Sequence, residues 1–196
     1  MSLINLPKTI ILASQSPRRV ALLKQMGIDS LVMPADIDET PLSGESPSAY
    51  VLRLAEQKAL VIVTKLAEEH VNFPVLAADT TVALGNTIFG KPENDADAFE
   101  MLKKLSGSTH QVHTAIALAF KGKSETVLNT TQVTMMLLSD AMISAYIATG
   151  EPWDKAGSYA IQGLAGSWIQ RIEGSFTGVM GLPVYETAWL LDKMGC

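Results

Sequence analysis

The chain has almost no cysteine. Cys196 is the only one in 196 residues, so no disulfide framework and no cysteine cluster for zinc can form, and a reducing cytoplasm is the compartment that fits. Histidine is scarce too, at three residues. His110 and His113, three apart on or beside a strand, fall on opposite faces, which predicts packing or surface residues rather than joint metal ligands. A basic excess is also missing. The formal net charge is −5, whereas a general nucleic-acid surface needs a basic face to neutralise phosphates. No stable nucleic-acid complex is therefore expected, and any phosphate site must be local. No apolar run approaches the ~20 residues of a membrane helix, and Met1–Lys8 lacks the layout of a secretory signal. These absences predict a soluble intracellular protein with no membrane contact. There is no repeat, no low-complexity segment and no Walker-type glycine loop. What is present is an ordinary globular composition, 47% hydrophobic and 18% charged, long enough to bury a core as one domain over 1–196.

Strand and helix signals alternate along the chain. Ile10–Leu12 reads as a strand and Pro17–Met26 as a helix stopped by Gly27, followed by a turn-rich stretch over Pro34–Pro47. A long helix is predicted from about Ser48 to Glu69. Phe73–Ala78 reads as a short apolar strand, and Thr80–Leu84 with Thr87–Phe89 as a hairpin closed by Gly85-Asn86 in a type II′ turn. A helix over about Asp95–Leu105, paired strands over Val112–Phe120 and Val127–Leu138, a helix capped by Ser139, a strand over Ser167–Ile172 and a closing helix over Val184–Lys193 complete the pattern. Hairpins mixed with crossover helices predict an α/β fold with a mixed central sheet and flanking helices.

The chemistry starts at Ser14-Gln15-Ser16-Pro17-Arg18-Arg19. Ser16 is a good N-cap and Pro17 suits the first helical position, because its missing N–H has no partner there. Arg18 and Arg19 then fall in the first turn, where cations oppose the helix dipole. Free N–H groups, two guanidinium forks and the Ser14 and Ser16 hydroxyls converge at a strand's end, which suits an anion such as phosphate.

Two charges stand where a core should be. Lys58 falls on the apolar stripe of Val51, Leu54, Val61 and Ile62, either snorkelling to solvent or held in a cleft by an anion. Asp79 directly follows the buried-looking Val75–Ala78, either as a capping residue or as a cleft carboxylate at a strand's end. Counting outward from the Gly85-Asn86 turn, Thr80 faces Lys91, which would bring Asp79 close to that ammonium. An acid, a lysine and helix-terminal arginines are the positioning and charge-stabilising parts that phosphoryl chemistry needs.

Taken in order, Leu12–Arg19, Ala78-Asp79-Thr80, Gly90-Lys91-Pro92, Leu105-Ser106-Gly107 and Lys155–Gly163 closely resemble the Maf family of nucleoside triphosphate pyrophosphatases over nearly the full chain. The resemblance implies two lobes around a deep cleft, akin to inosine triphosphate pyrophosphatases, and cleavage of nucleoside triphosphates to monophosphate and pyrophosphate with a divalent metal, magnesium or manganese. It makes Asp79 the proton acceptor for the attacking water, and makes Lys58, Lys91, Arg18 and Arg19 the holders of phosphate, with Ser14 and Ser16 lining the loop. Glu39 matches a family glutamate near the metal, and Asp79 is a second candidate ligand. Thr80 after the acid and Gln162 in Ile161-Gln162-Gly163 resemble the branch that cleaves dTTP and UTP, with CTP and modified pyrimidines as further candidates. A homodimer is compatible with the family. The competing reading is a non-catalytic nucleotide- or nucleic-acid-binding regulator of division, since the family has been associated with septum inhibition. Such a binder gains nothing from a carboxylate beside phosphates.

Overall fold

A computed structural model describes residues 6–66 and 72–196. The first segment holds β1 (Thr9–Leu12), α1 (Pro17–Gln25), β2 (Asp29–Val32) and α2 (Pro47–Lys65). The second holds β3 (Val75–Leu84), β4 (Thr87–Phe89), α3 (Asp95–Leu105), β5 (Thr109–Phe120), β6 (Lys123–Met135), α4 (Asp140–Ile147), β7 (Ile169–Glu173), α5 (Phe176–Met180) and α6 (Val184–Lys193). The strands form one seven-stranded sheet in the order β2-β1-β3-β5-β6-β7, with β4 paired to β3. β1 runs parallel to β2 and to β3, and the remaining pairs are antiparallel. The sheet is mixed, as the sequence predicts.

Side-chain alternation explains the layers. On β3, Val75 and Ala77 join a core with Val51, Ala55, Ala59 and Ile62 of α2, while Leu76 and Ala78 join one with Leu22 and Leu23 of α1 and Leu190 and Leu191 of α6. Successive residues of a strand face opposite sides, so α2 covers one face and α1 with α6 the other. Alanines on both sides of the α2 contact let the helix lie close to the sheet. A third cluster gathers Val82, Phe89, Leu102, Leu105, Ile143, Tyr146, Tyr159, Ala165 and Trp168 around α3 and α4. It forms a second lobe that shares β3, β5 and β6 with the first.

Several boundaries differ from the sequence reading. β2 has a mostly exposed pattern with no apolar alternation, which hid it. The break expected between Ala78 and Thr80 does not exist: Val75–Leu84 is one strand of ten residues. Helix α2 stops at Lys65 because Leu66 is extended, at φ −65° and ψ 131°. The rest of the stretch predicted as helix, up to Glu69, lies outside the described residues. Gly85 takes φ 60° as a type II′ turn requires, and Leu84 faces Thr87 as predicted. That ladder ends at Val82 and Phe89, so Thr80 does not face Lys91; its partner is Thr114 on β5. No helix among the described residues is long and apolar enough to cross a membrane.

Candidate active site

The cleft forms where β3 loses a neighbour. On one edge β3 pairs with β5 from Val75 to Ala83. On the other edge β1 reaches only Val75 and Leu76, and β4 begins at Val82. Between them the strand edge opens onto a cleft of about 850 Å³ lined by residues of both lobes, among them Ser14, Arg18, Glu39, Asp79, Lys91 and Gln162. That volume suits a nucleotide-sized ligand.

Strand alternation decides which helix each site residue on β3 meets. Asp79, two residues after Ala77, faces α2, and Lys58 Nζ donates to its Oδ1 at 2.6 Å. The lysine does not run out to solvent; it is 8% exposed and held between carboxylates. Glu39 Oε1 is its second partner, also at 2.6 Å. Glu39 lies in an exposed loop, yet the Tyr50 hydroxyl donates to its carbonyl at 2.9 Å and helps hold it over the cluster. Thr80, on the opposite face, meets α1: Arg19 Nη2 donates to its Oγ1 at 3.2 Å, and that hydroxyl is 2.9 Å from Thr114 Oγ1. Thr80 thus belongs to the arginine side of the site.

The two arginines of α1 have protein partners. Arg19 Nε donates to the Gly181 carbonyl at 2.8 Å and Nη1 to Ser14 Oγ at 2.9 Å. Arg18 Nε donates to the Met180 carbonyl at 3.3 Å. A guanidinium carries five N–H donors, so Arg19 keeps two for a ligand. Comparison with α3 shows how unusual the placement is. α3 has Asp95 and Asp97 in its first turn and Lys103 and Lys104 in its last, as the dipole favours, whereas the first turn of α1 has no acid. Ser16 occupies the N-cap position but its side chain makes no cap bond; its own N–H donates to Ser14 Oγ at 3.2 Å.

Burial sets the electrostatics. It drives the Asp79 carboxyl above the ordinary aspartate range, an effect that the Lys58 ammonium and Arg19 only partly offset and Glu39 adds to. For Glu39 burial acts in the same sense, but the bond and charge of Lys58, with Lys91 and Arg19 behind them, hold its carboxyl below the usual range. Lys91 and Gln162 are both exposed and line the cleft from the second lobe. His110 and His113 are buried packing residues, His110 bonded to the Tyr159 hydroxyl at 2.8 Å and His113 to Thr130 at 3.0 Å.

A sequence profile described as Maf-like protein matches residues 9–194. The chain belongs to the Maf family. Among its relatives is a protein of Methylobacillus flagellatus named dTTP/UTP pyrophosphatase, 53% identical over 95% of this chain and 92% of that one. A Neisseria meningitidis serogroup B protein of the same name is 46% identical over 95% of this chain and 94% of its own. A Haemophilus ducreyi protein named nucleoside triphosphate pyrophosphatase is 47% identical over 95% of each. A solved structure, that of the Staphylococcus aureus Ham1 protein, aligns with 65% of this chain and 72% of its own at 18% identity and a TM-score of 0.42, too slight a likeness to argue from.

Sequence reasoning about this Maf chain missed three participants. Thr114, fully buried, bonds both Thr80 and the Gly178 carbonyl. Lys155 lines the cleft beside Arg18, and its Nζ donates to the Trp153 carbonyl at 3.0 Å. Glu151 ties the Gln162 loop to α4 through the Tyr146 hydroxyl. Only Thr114, a hydroxyl inside an otherwise apolar strand, carried a sequence signal, and it does not name a partner; Glu151 and Lys155 lie outside the helices and strands, where a charge is unremarkable.

Proposed function

We propose that this protein is a nucleoside triphosphate pyrophosphatase that hydrolyses dTTP and UTP between the α and β phosphates, releasing the monophosphate and pyrophosphate. The observation that carries the reading is Asp79, a carboxylate with a raised pKa buried at the floor of a cleft whose lining includes Arg18, Arg19, Lys58 and Lys91, while the other acids there, Glu39, Glu93 and Asp154, are exposed. A site that only bound phosphates would place no acid there. Lys58 holds Oδ1, which leaves Oδ2 of Asp79 to take the proton of the attacking water. Raising a carboxyl toward the working pH makes it a better base.

Arg18 and Lys91 hold phosphate oxygens. Arg19 uses its two remaining donors the same way while Thr80, Ser14 and the Gly181 carbonyl fix its fork. Developing negative charge on the departing pyrophosphate is thereby met by donors already in place, so little reorganisation is needed. The Ser16 hydroxyl and the Arg18 N–H in the first turn of α1 add neutral donors.

The donor set also fits a divalent metal. Glu39 and Asp79 both contact one cationic nitrogen at 2.6 Å, so the two carboxylates lie within reach of a single cation. Among the described residues no three carboxylates, histidines or cysteines converge, and magnesium or manganese binds readily through one or two carboxylates with phosphate oxygens and water completing the shell. When bound, the metal polarises the phosphoryl oxygens and neutralises charge. Gln162 supports the base preference, since its amide both donates and accepts along the O4/N3–H edge of thymine or uracil. CTP is a poorer substrate on the same argument. The near absence of cysteine favours action in the cytoplasm.

A panel of nucleoside triphosphates with identified products tests the reading. The expected outcome is dTMP or UMP with pyrophosphate, slower turnover of CTP and poor turnover of purines. Release of orthophosphate, or no turnover of any nucleotide, overturns it; equal cleavage of every triphosphate overturns the base preference alone.

A further inference from the structure

Gln162 is exposed, and its side chain has no hydrogen-bond partner among the described residues. Nothing in the side chain fixes where its amide points, so its usefulness for recognising a base depends on the backbone that carries it. That backbone is anchored from outside the cleft. The Tyr159 hydroxyl bonds His110 Nε2 at 2.8 Å, and the Ala160 N–H donates to the Tyr146 hydroxyl at 3.2 Å. The Gly163 N–H closes the turn onto the Ala160 carbonyl at 3.0 Å. Beyond Gln162, the N–H groups of Leu164 and Ala165 donate to Glu151 Oε2 and Oε1 at 3.0 and 3.4 Å, and the Tyr146 hydroxyl donates to Oε1 at 2.9 Å.

Glu151 therefore sits inside the bend of this loop, accepting three hydrogen bonds. Gly163 makes room for it, since a Cβ there would lie 2.3 Å from Oε1. Tyr146 belongs to the apolar core of the second lobe, which ties the loop to a rigid element. Burial, reinforced by the bond to Glu151, pushes the Tyr146 phenol well up, so it remains an O–H donor to the carboxylate.

We infer that Glu151, acting through Tyr146 and the amides of Leu164 and Ala165, is a positioning residue that sets the base preference by holding Gln162 at the cleft. The inference rests on the pyrophosphatase reading for its substrate but on loop geometry for its mechanism. A carboxylate suits the place because every partner is a donor. Glutamine has the same shape but carries an NH₂ on one side, so one of the three donors must face another donor. The lost bond is charge-assisted and made by a half-buried carboxylate, which makes the effect measurable.

The test uses the full chain as Glu151→Gln, Gly163→Ala and the double variant, with amide hydrogen exchange, kcat and KM for dTTP and GTP, and binding of dTMP and GMP. In Glu151→Gln, exchange at Leu164 and Ala165 is expected to quicken about tenfold while β3 and β5 keep their protection. KM for dTTP rises more than kcat changes, and the dTTP over GTP ratio of kcat/KM falls about tenfold. Gly163→Ala displaces the carboxylate with Glu151 itself intact and gives the same pattern, so it decides the matter even if Glu151→Gln folds poorly. The double variant is no worse than either single one, because both break the same contact. A proportional loss with both nucleotides, with the ratio unchanged, or unaltered exchange at Leu164 and Ala165, overturns the inference. If the unmodified protein cleaves no triphosphate, the pyrophosphatase reading fails separately, and exchange together with dTMP over GMP binding still decides the role of Glu151.

Discussion

Helix α2 carries two cations that each grip a carboxylate at a similar distance, and the two carboxylates are driven in opposite directions. Arg53 Nε meets Glu45 Oε1 at 2.7 Å near the start of the helix, and Lys58 Nζ meets Asp79 Oδ1 at 2.6 Å in its middle. The fork of Arg53 reaches both oxygens of Glu45 and, with a backbone bond from Leu42, holds that carboxyl down to about 2 despite opposing burial. At Asp79 burial is the largest influence and wins over the ammonium, so the carboxyl moves up. One pair fastens the loop that precedes α2. The other keeps an acid under tension between ionisation and desolvation, the condition in which a base accepts a proton. Neither contact distance nor side-chain exposure, 8% for Glu45 and 9% for Asp79, distinguishes them; the guanidinium grip on both oxygens of one, and the depth and second carboxylate around the other, do.

Removing one negative charge from each pair gives the largest test. Asp79→Asn is expected to cut kcat about a hundredfold to ten-thousandfold while nucleotide binding stays intact or tightens, because a base and a repulsive charge are lost with little change in shape. Glu45→Gln should change kcat less than about twofold, given that general-base loss is worth far more than a surface contact. Equal effects in steady-state assays would erase the distinction. Lys91→Ala comes next, as a cleft cation that no carboxylate holds among the described residues: kcat falls about a hundredfold with a smaller change in KM if it meets charge as pyrophosphate leaves. A change in KM alone would make it a uniform binding contact.

The pH profile sharpens the contrast further. Asp79 must be ionised to act, so kcat/KM rises with pH through an apparent pKa above 3.8, the ordinary aspartate value. Lys58→Met removes a group that lowers that pKa and should move the rise to still higher pH; a profile unmoved by the substitution would separate Lys58 from the base. The smallest expected effect is on stability. The folded pKa of Glu45 lies below its unfolded one, so its contribution is present above about 4.5 and is lost as pH falls toward about 2. Thermal melts of Glu45→Gln should show a Tm lowered by roughly 2–4 °C at neutral pH, with the gap to the parent closing on acidification.

The individual charges of the site were legible because each broke a local rule: arginines at the positive end of a helix, a lysine on an apolar stripe, an aspartate in a buried strand. The partnerships were less so. Counting from the hairpin put Lys91 beside Asp79, on the assumption that the ladder runs on, whereas β4 has only three residues and Lys58, 21 residues before Asp79, takes that place. Strand β2 was invisible because its residues are largely exposed and lack alternation. Gln162 was legible as a candidate for base recognition, but the loop bonds to Glu151 that carry it were not.

The sequence by itself determined most of the helices, the mixed sheet and the choice of charged residues, because periodicity, propensity and turn chemistry act over a few residues. Only the tertiary structure decided that β1 stops short and β4 starts late along β3, which opens the sheet edge at Asp79. It also decided that alternation sends Asp79 toward Lys58 and Thr80 toward Arg19. Those outcomes depend on which strands neighbour one another and how far each ladder runs. Burial, and with it the proton affinity of Asp79, follows from that packing, because desolvation depends on everything that surrounds a charge.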